Sequence, residues 1–124
     1  MEREQAQEIV KDAELSRWRS FVMVGEARAK PRVFELSDLR QNPVSVIETI
    51  AGPLQIPDTP KAGEPEWCFF ADDLPDANWE HPCRYLLVYS DGSIHSISAR
   101  VPPDVESMGA EVFPFALEPL REPL

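Results

Sequence analysis

Arg84-Tyr-Leu-Leu-Val-Tyr-Ser90, then Asp91-Gly92, then Ser93-Ile-His-Ser-Ile-Ser-Ala-Arg100, is the stretch on which the fold turns. Two runs rich in β-branched and aromatic residues are separated by Asp-Gly. Such a dipeptide tolerates the positive φ that a tight hairpin turn requires. With Asp91 and Gly92 as a two-residue turn, Ser90 faces Ser93. Tyr85, Leu87 and Tyr89 then share a face with Ile94, Ser96 and Ser98, and Leu86 and Val88 share the other with His95, Ile97 and Ala99. Neither face is fully polar, so the hairpin is expected to be covered on both sides.

Upstream, Trp67-Cys-Phe-Phe-Ala71 reads as a third, buried strand, and Asp72 to Glu80 as an acidic loop. Residues 53–66 carry prolines 53, 57, 60 and 65, which predicts an extended connection. Asn42-Pro43 looks like a helix N-cap followed by a first-turn proline, and Gly52-Pro53 like its stop, which predicts a helix over 43–51. Near the start, Ala6, Ile9, Val10, Ala13 and Trp18 recur at roughly helical spacing, so a helix is expected over 3–20. The apolar run Phe21-Val-Met-Val24, stopped by Gly25, and Arg32-Val-Phe-Glu-Leu36 read as strands 21–25 and 32–36.

Downstream, Val101-Pro-Pro103 ends the ladder. The expected fold class is α+β: a small antiparallel sheet of about four to five strands with two helices packed on one face. Residues 1–103 form the domain, and 104–124 an extended, Pro-rich C-terminal tail expected to dock on it, because exposed apolar patches are usually avoided.

The chain has 124 residues, 43% apolar and 27% charged, enough to build a core without metal or disulfide. No stretch approaches the roughly 20 consecutive apolar residues of a membrane helix. The charged start, Met-Glu-Arg-Glu-Gln, leads into no apolar signal region, and a cytoplasmic location is expected.

The formal net charge is −10 and is unevenly spread. Residues 1–34 hold seven basic and six acidic side chains, whereas residues 35–124 hold five and sixteen, a balance of −11 for the larger part. Phosphate and anionic lipid would be repelled by it, which argues against nucleic-acid and membrane partners. A protein with a basic surface is the electrostatic match. Excess acid also serves simple solubility.

Cys68, His81, Cys83 and His95 are the residues suited to thiol or imidazole chemistry, but no Cys-x-x-Cys or His-x3–5-His spacing joins them. Cys83, placed opposite Arg100 by the hairpin, would have its pKa lowered by the guanidinium. Asp72, Asp73, Asp76 and Glu80 lack the Asp-x-Asp-x-Asp-Gly pattern of a calcium loop. With five glycines there is little from which to build a phosphate cradle. No catalytic residue, metal ligand or cofactor is therefore expected. Trp79 and Tyr89 beside the acidic segment suit anchoring roles at an interface. The sequence thus favours a non-catalytic acidic interaction module (an adaptor, an inhibitor or an immunity-type partner) that engages a basic protein through Asp72, Asp73, Asp76, Trp79, Glu80 and Tyr89, or that serves as a subunit of a larger assembly. The alternative is a small enzyme or metal-dependent domain using Cys83 with His81 or His95.

Overall fold

Strand β5, Cys83–Tyr89, is buried at every one of its positions, and the rest of the fold is arranged to cover it. The computed structural model describes residues 1–26, 30–41, 43, 45–57, 63–74, 81–104 and 115–116, the last two as backbone. In chain order the remaining elements are α1 (Arg3–Met23), β1 (Arg32–Asp38), β2 (Val46–Thr49), β3 (Gly52–Gln55), β4 (Pro65–Asp72), β6 (Ile94–Ala99) and β7 (Phe115–Ala116). The main sheet runs β6-β5-β4-β1-β7, and its pairings are antiparallel. The two-residue β7, from the C-terminal segment, pairs with Phe34 and Glu35. The other residues of 105–124 lie outside the described set.

Side-chain alternation along β4 and β5 splits the core in two. On one face Trp67, Phe69, Ala71, Leu86 and Val88 pack with Val33 beneath Ala6 and Val10 of α1. On the other, Cys68, Phe70, Cys83, Tyr85, Leu87 and Tyr89 pack with Ile47 and Ile56 and with half-buried Leu54. The β2–β3 hairpin covers this second face. It is tied to the chain leaving β6, because Ile50 N–H donates to Pro102 O at 3.2 Å and Asp104 N–H to Glu48 O at 2.8 Å. Helix, sheet and hairpin therefore form three layers, which is why the central strands read as continuous apolar runs.

The expectation of two helices on one face is wrong: the described residues hold one helix, and the segment expected as helix 43–51 contains β2 and the turn that leads into β3 instead. Val46, Ile47, Thr49 and Ile50 are β-branched and gain more from a pleated surface than from a helix. Thr49 closes the turn, its hydroxyl donating to Gly52 O at 2.6 Å and accepting from Ala51 N–H at 3.2 Å. The expected strand 21–25 is also absent. Its residues continue α1, which ends in a C-terminal motif in which Gly25 N–H donates to Val22 O and Glu26 N–H to Phe21 O, both at 3.0 Å. Gly25 has φ +83°, as the motif requires. Extending an existing helix costs one residue's ordering per hydrogen bond gained, so the apolar run stays helical although Met23 is 86% exposed.

The hairpin at Asp91-Gly92 exists, in a register one residue away from that expected. Gly92 N–H donates to Tyr89 O at 2.9 Å and Tyr89 N–H to Ser93 O at 3.0 Å. The loop is therefore Ser90-Asp91-Gly92, with Gly92 at positive φ (+86°), and Leu87 faces His95 rather than Ser96. The shift moves Ile97 and Ala99 onto the hairpin-covered face and Ile94 onto the helix face. Asp91 selects this loop by accepting from the Ser93 hydroxyl at 2.6 Å and the Ser93 N–H at 2.9 Å. The same bonds hold its carboxyl below the usual range.

Candidate functional site

The polar residues gather where β4 ends and β5 begins. β4 delivers Asp72 and Asp73, β5 starts with Cys83 and Arg84, and α1 crosses above with Glu14 and Arg17 one turn apart. Arg84 Nη1 donates to Glu14 Oε2 at 2.8 Å, with the second guanidinium nitrogen on the other carboxylate oxygen. The same guanidinium grips Asp73 through Nε (2.9 Å) and Nη2 (2.7 Å). Arg17 approaches Asp73 from outside at 3.6 Å. Glu14 and Arg84 are buried. Burial alone would lower the Arg84 pKa, but the hydrogen bonds to Glu14 and Asp73 outweigh it and raise it above its ordinary value.

A second buried pair lies alongside, His81 Nε2 and Asp72 Oδ1 at 2.6 Å, and Leu74 N–H donates to the same oxygen at 3.0 Å. Beside the arginine cluster opens a cleft of about 320 Å³, lined by Arg17, Asp73, Cys83, Arg84, Ser98 and Arg100 among others.

The cleft does not activate its thiol. Burial, followed by the carboxylates of Asp72 and Asp73, pushes the Cys83 thiol up to about 11, and Arg100 offsets this only slightly. This reverses the lowering expected from Arg100, because burial and the two carboxylates outweigh the guanidinium; the residue opposite Cys83 is Ala99. The Cys83 Sγ donates to Val101 O at 3.4 Å. Cys68 is fully enclosed and pushed up to about 12 by burial. Both cysteines are free thiols. His95 sits on β6 opposite Leu87, away from the Asp72–His81 pair at the other end of the ladder. Among the described residues no three of the His, Cys, Asp and Glu side chains gather closely enough to hold a metal ion.

Of the residues expected to meet a partner, Asp72 and Tyr89 are buried and Asp73 is largely enclosed by its two arginines. Asp76, Trp79 and Glu80 lie outside the described residues. Sequence reasoning passed over the outer face of α1, where Glu4, Glu8 and Asp12 stand one turn apart and exposed. Their i, i+4, i+8 spacing was the available signal. Five of the described cations, by contrast, are drawn onto the protein's own carboxylates: Arg3 on Glu35, Lys11 on Glu8, Arg40 on Asp38 and Glu2, and Arg17 and Arg84 on Asp73.

No helix among the described residues is long and apolar enough to cross a membrane. Compared with known proteins, the chain finds no significant match to a family model, a curated protein or a solved structure.

Proposed function

We propose that the protein is a non-catalytic acidic interaction module that binds a basic protein surface in the cytoplasm. One observation carries the reading: a chain of net charge −10 spends Arg3, Lys11, Arg17, Arg40 and Arg84 on internal ion pairs. The outer face of α1 presents Glu4, Glu8 and Asp12, of which Glu8 is shared with Lys11. Asp76, Trp79 and Glu80 of the acidic segment extend the contact, while Asp72 and Asp73 anchor that segment to the domain. A fixed negative exterior steers a basic partner and speeds encounter more than it adds affinity.

The test is affinity capture from native lysate at low salt, followed by binding of the captured protein at rising ionic strength. The expected partner has a basic surface, binds more weakly as salt screens the charges, and binds less to the triple variant Glu4→Gln, Glu8→Gln, Asp12→Gln. Affinity unchanged by both salt and the variant would overturn the reading.

A further inference from the structure

β6 is an edge of the main sheet, with no strand beyond it among the described residues. Exposed edges are normally blunted by charge, proline or a bulge. From Gly92 to Ala99 this one has no Lys, Arg, Asp, Glu or Pro, and its pairing with β5 is regular. The bond from Tyr89 N–H to Ser93 O sets the alternation: residues 93, 95, 97 and 99 turn their backbone groups to β5. The N–H and C=O groups of Ile94, Ser96 and Ser98 therefore point away from the sheet, ready to pair.

Charge at the two ends of this uncharged edge is opposite. Exposed Asp91 stands in the turn that precedes β6, and exposed Arg100 directly follows it. An edge of this kind is complementary to itself when turned around. We propose that β6 pairs antiparallel with β6 of a second copy of this chain, about a two-fold axis at Ser96, joining the two sheets into one. In that register Ser96 faces the second copy's Ser96, and Ile94 faces its Ser98. Arg100 lies opposite the second copy's Gly92, diagonally across from its Asp91. A slip of two residues keeps the hydrogen-bond alternation; in one direction it carries Arg100 away from Asp91 and in the other it leaves the two diagonal, so the end charges exclude one slip and cross-linking of Ser96→Cys decides against the other. The contact is isologous, so it closes at two copies and does not propagate. Each copy carries −10, so mutual repulsion opposes the pairing and salt relieves it. That sign is opposite to the one expected for the basic partner, which separates the two proposals experimentally.

The experiment is sedimentation velocity of the full chain over a concentration series at low and high ionic strength. The expected result is a monomer–dimer equilibrium that shifts toward dimer as salt rises. Ser96→Pro removes an outward N–H without touching the bonds to β5. It should weaken the dimer by about tenfold or more through two lost inter-strand hydrogen bonds, with the circular dichroism of the monomer unchanged. Ser96→Cys gives a second readout that does not depend on that variant folding. Paired Cα atoms about 5.5 Å apart are within disulfide reach, so the variant should cross-link to a covalent dimer faster than Ser90→Cys. A monomer at every concentration and salt, or Ser96→Cys cross-linking no faster than Ser90→Cys, overturns the proposal. So does protection of the Ser96 amide from hydrogen exchange in that monomer, which would mean that the chain's own C-terminal segment fills the edge.

Discussion

Arg84 on β5 holds Glu14 on α1, seventy residues away in sequence, in a two-pronged buried contact. The pair fixes how the helix sits on the sheet, since the apolar contacts of α1 alone are modest: its buried side chains are Ala6, Val10 and Glu14. Removing one partner strands the other charge without water. Arg84→Met is therefore expected to destabilise the fold by about 3–5 kcal/mol, with buried Glu14 left unpaired and Asp73 left with Arg17 alone. The double variant Glu14→Leu, Arg84→Met should be less unstable than Arg84→Met alone, because one buried charge has gone with its partner. Urea unfolding monitored by tryptophan fluorescence checks both. A double variant as unstable as the single would mean that the pair is not what holds the helix down.

The two thiols give an alkaline prediction. In the folded chain the Cys68 thiol is pushed up to about 12 and Cys83 to about 11, whereas in the unfolded chain both titrate near 9. Below pH 9 both states keep their protons and these groups make no difference. As pH rises from 9 toward 11–12 the unfolded state ionises first, so stability is expected to fall across that window. Tyr85, buried with its hydroxyl donating to Val101 O at 2.9 Å and its pKa raised chiefly by burial, pushes in the same direction. Melting temperature measured between pH 8 and 11 checks the slope. At pH 8 an aromatic disulfide reagent should find no reactive thiol in the native protein and two after denaturation.

The covering hairpin is tested by two isoleucines that a helix would have placed on one stripe. In the structure Ile47 is 1% exposed beneath the hairpin and Ile50 is 61% exposed at its turn. Ile47→Ala is expected to cost about 2–5 kcal/mol through the cavity it leaves, and Ile50→Ala less than about 0.5 kcal/mol. Chemical denaturation of the two variants measures the difference directly. Equal losses would restore the helical reading of 43–51.

These residues also show where the sequence was legible. Strands β1, β4, β5 and β6 could be found because Val, Phe, Tyr and Leu runs bounded by turn residues need no distant information. The helix 43–51 failed for a physical reason: Asn42-Pro43 and Gly52-Pro53 look like helix punctuation, while β2 is a strand because it pairs with β3 across the turn, and the resulting hairpin is held by the chain at 102–104, some fifty residues on. The 21–25 strand failed because Gly25 ends a helix as readily as a strand, and the hydrogen bonds of the preceding turns decided which. The acidic segment misled in a similar way. Charge composition locates Asp72 and Asp73 in sequence, but only the fold shows that His81, Arg84 and Arg17 turn them inward. The outer stripe of α1 needed only the helical period to be seen.

The turn at Gly92 gives the most local prediction. Gly92 holds φ +86°, which a β-branched residue resists, and a Cβ there would stand 3.8 Å from Ile9 Cδ1, an ordinary contact. Strain, not crowding, is therefore the whole effect. Gly92→Val is expected to destabilise by more than about 1 kcal/mol, and Gly92→Asn by distinctly less, because Asn tolerates the left-handed region. The loop register sharpens the comparison. A two-residue turn would need positive φ at Asp91 as well, and Asp91→Gly would then stabilise. In the observed three-residue loop Asp91 instead holds Ser93 through two hydrogen bonds, so Asp91→Gly is expected to destabilise. Thermal melts of Gly92→Val, Gly92→Asn and Asp91→Gly rank the three, and a stabilised Asp91→Gly would return the hairpin to the two-residue register.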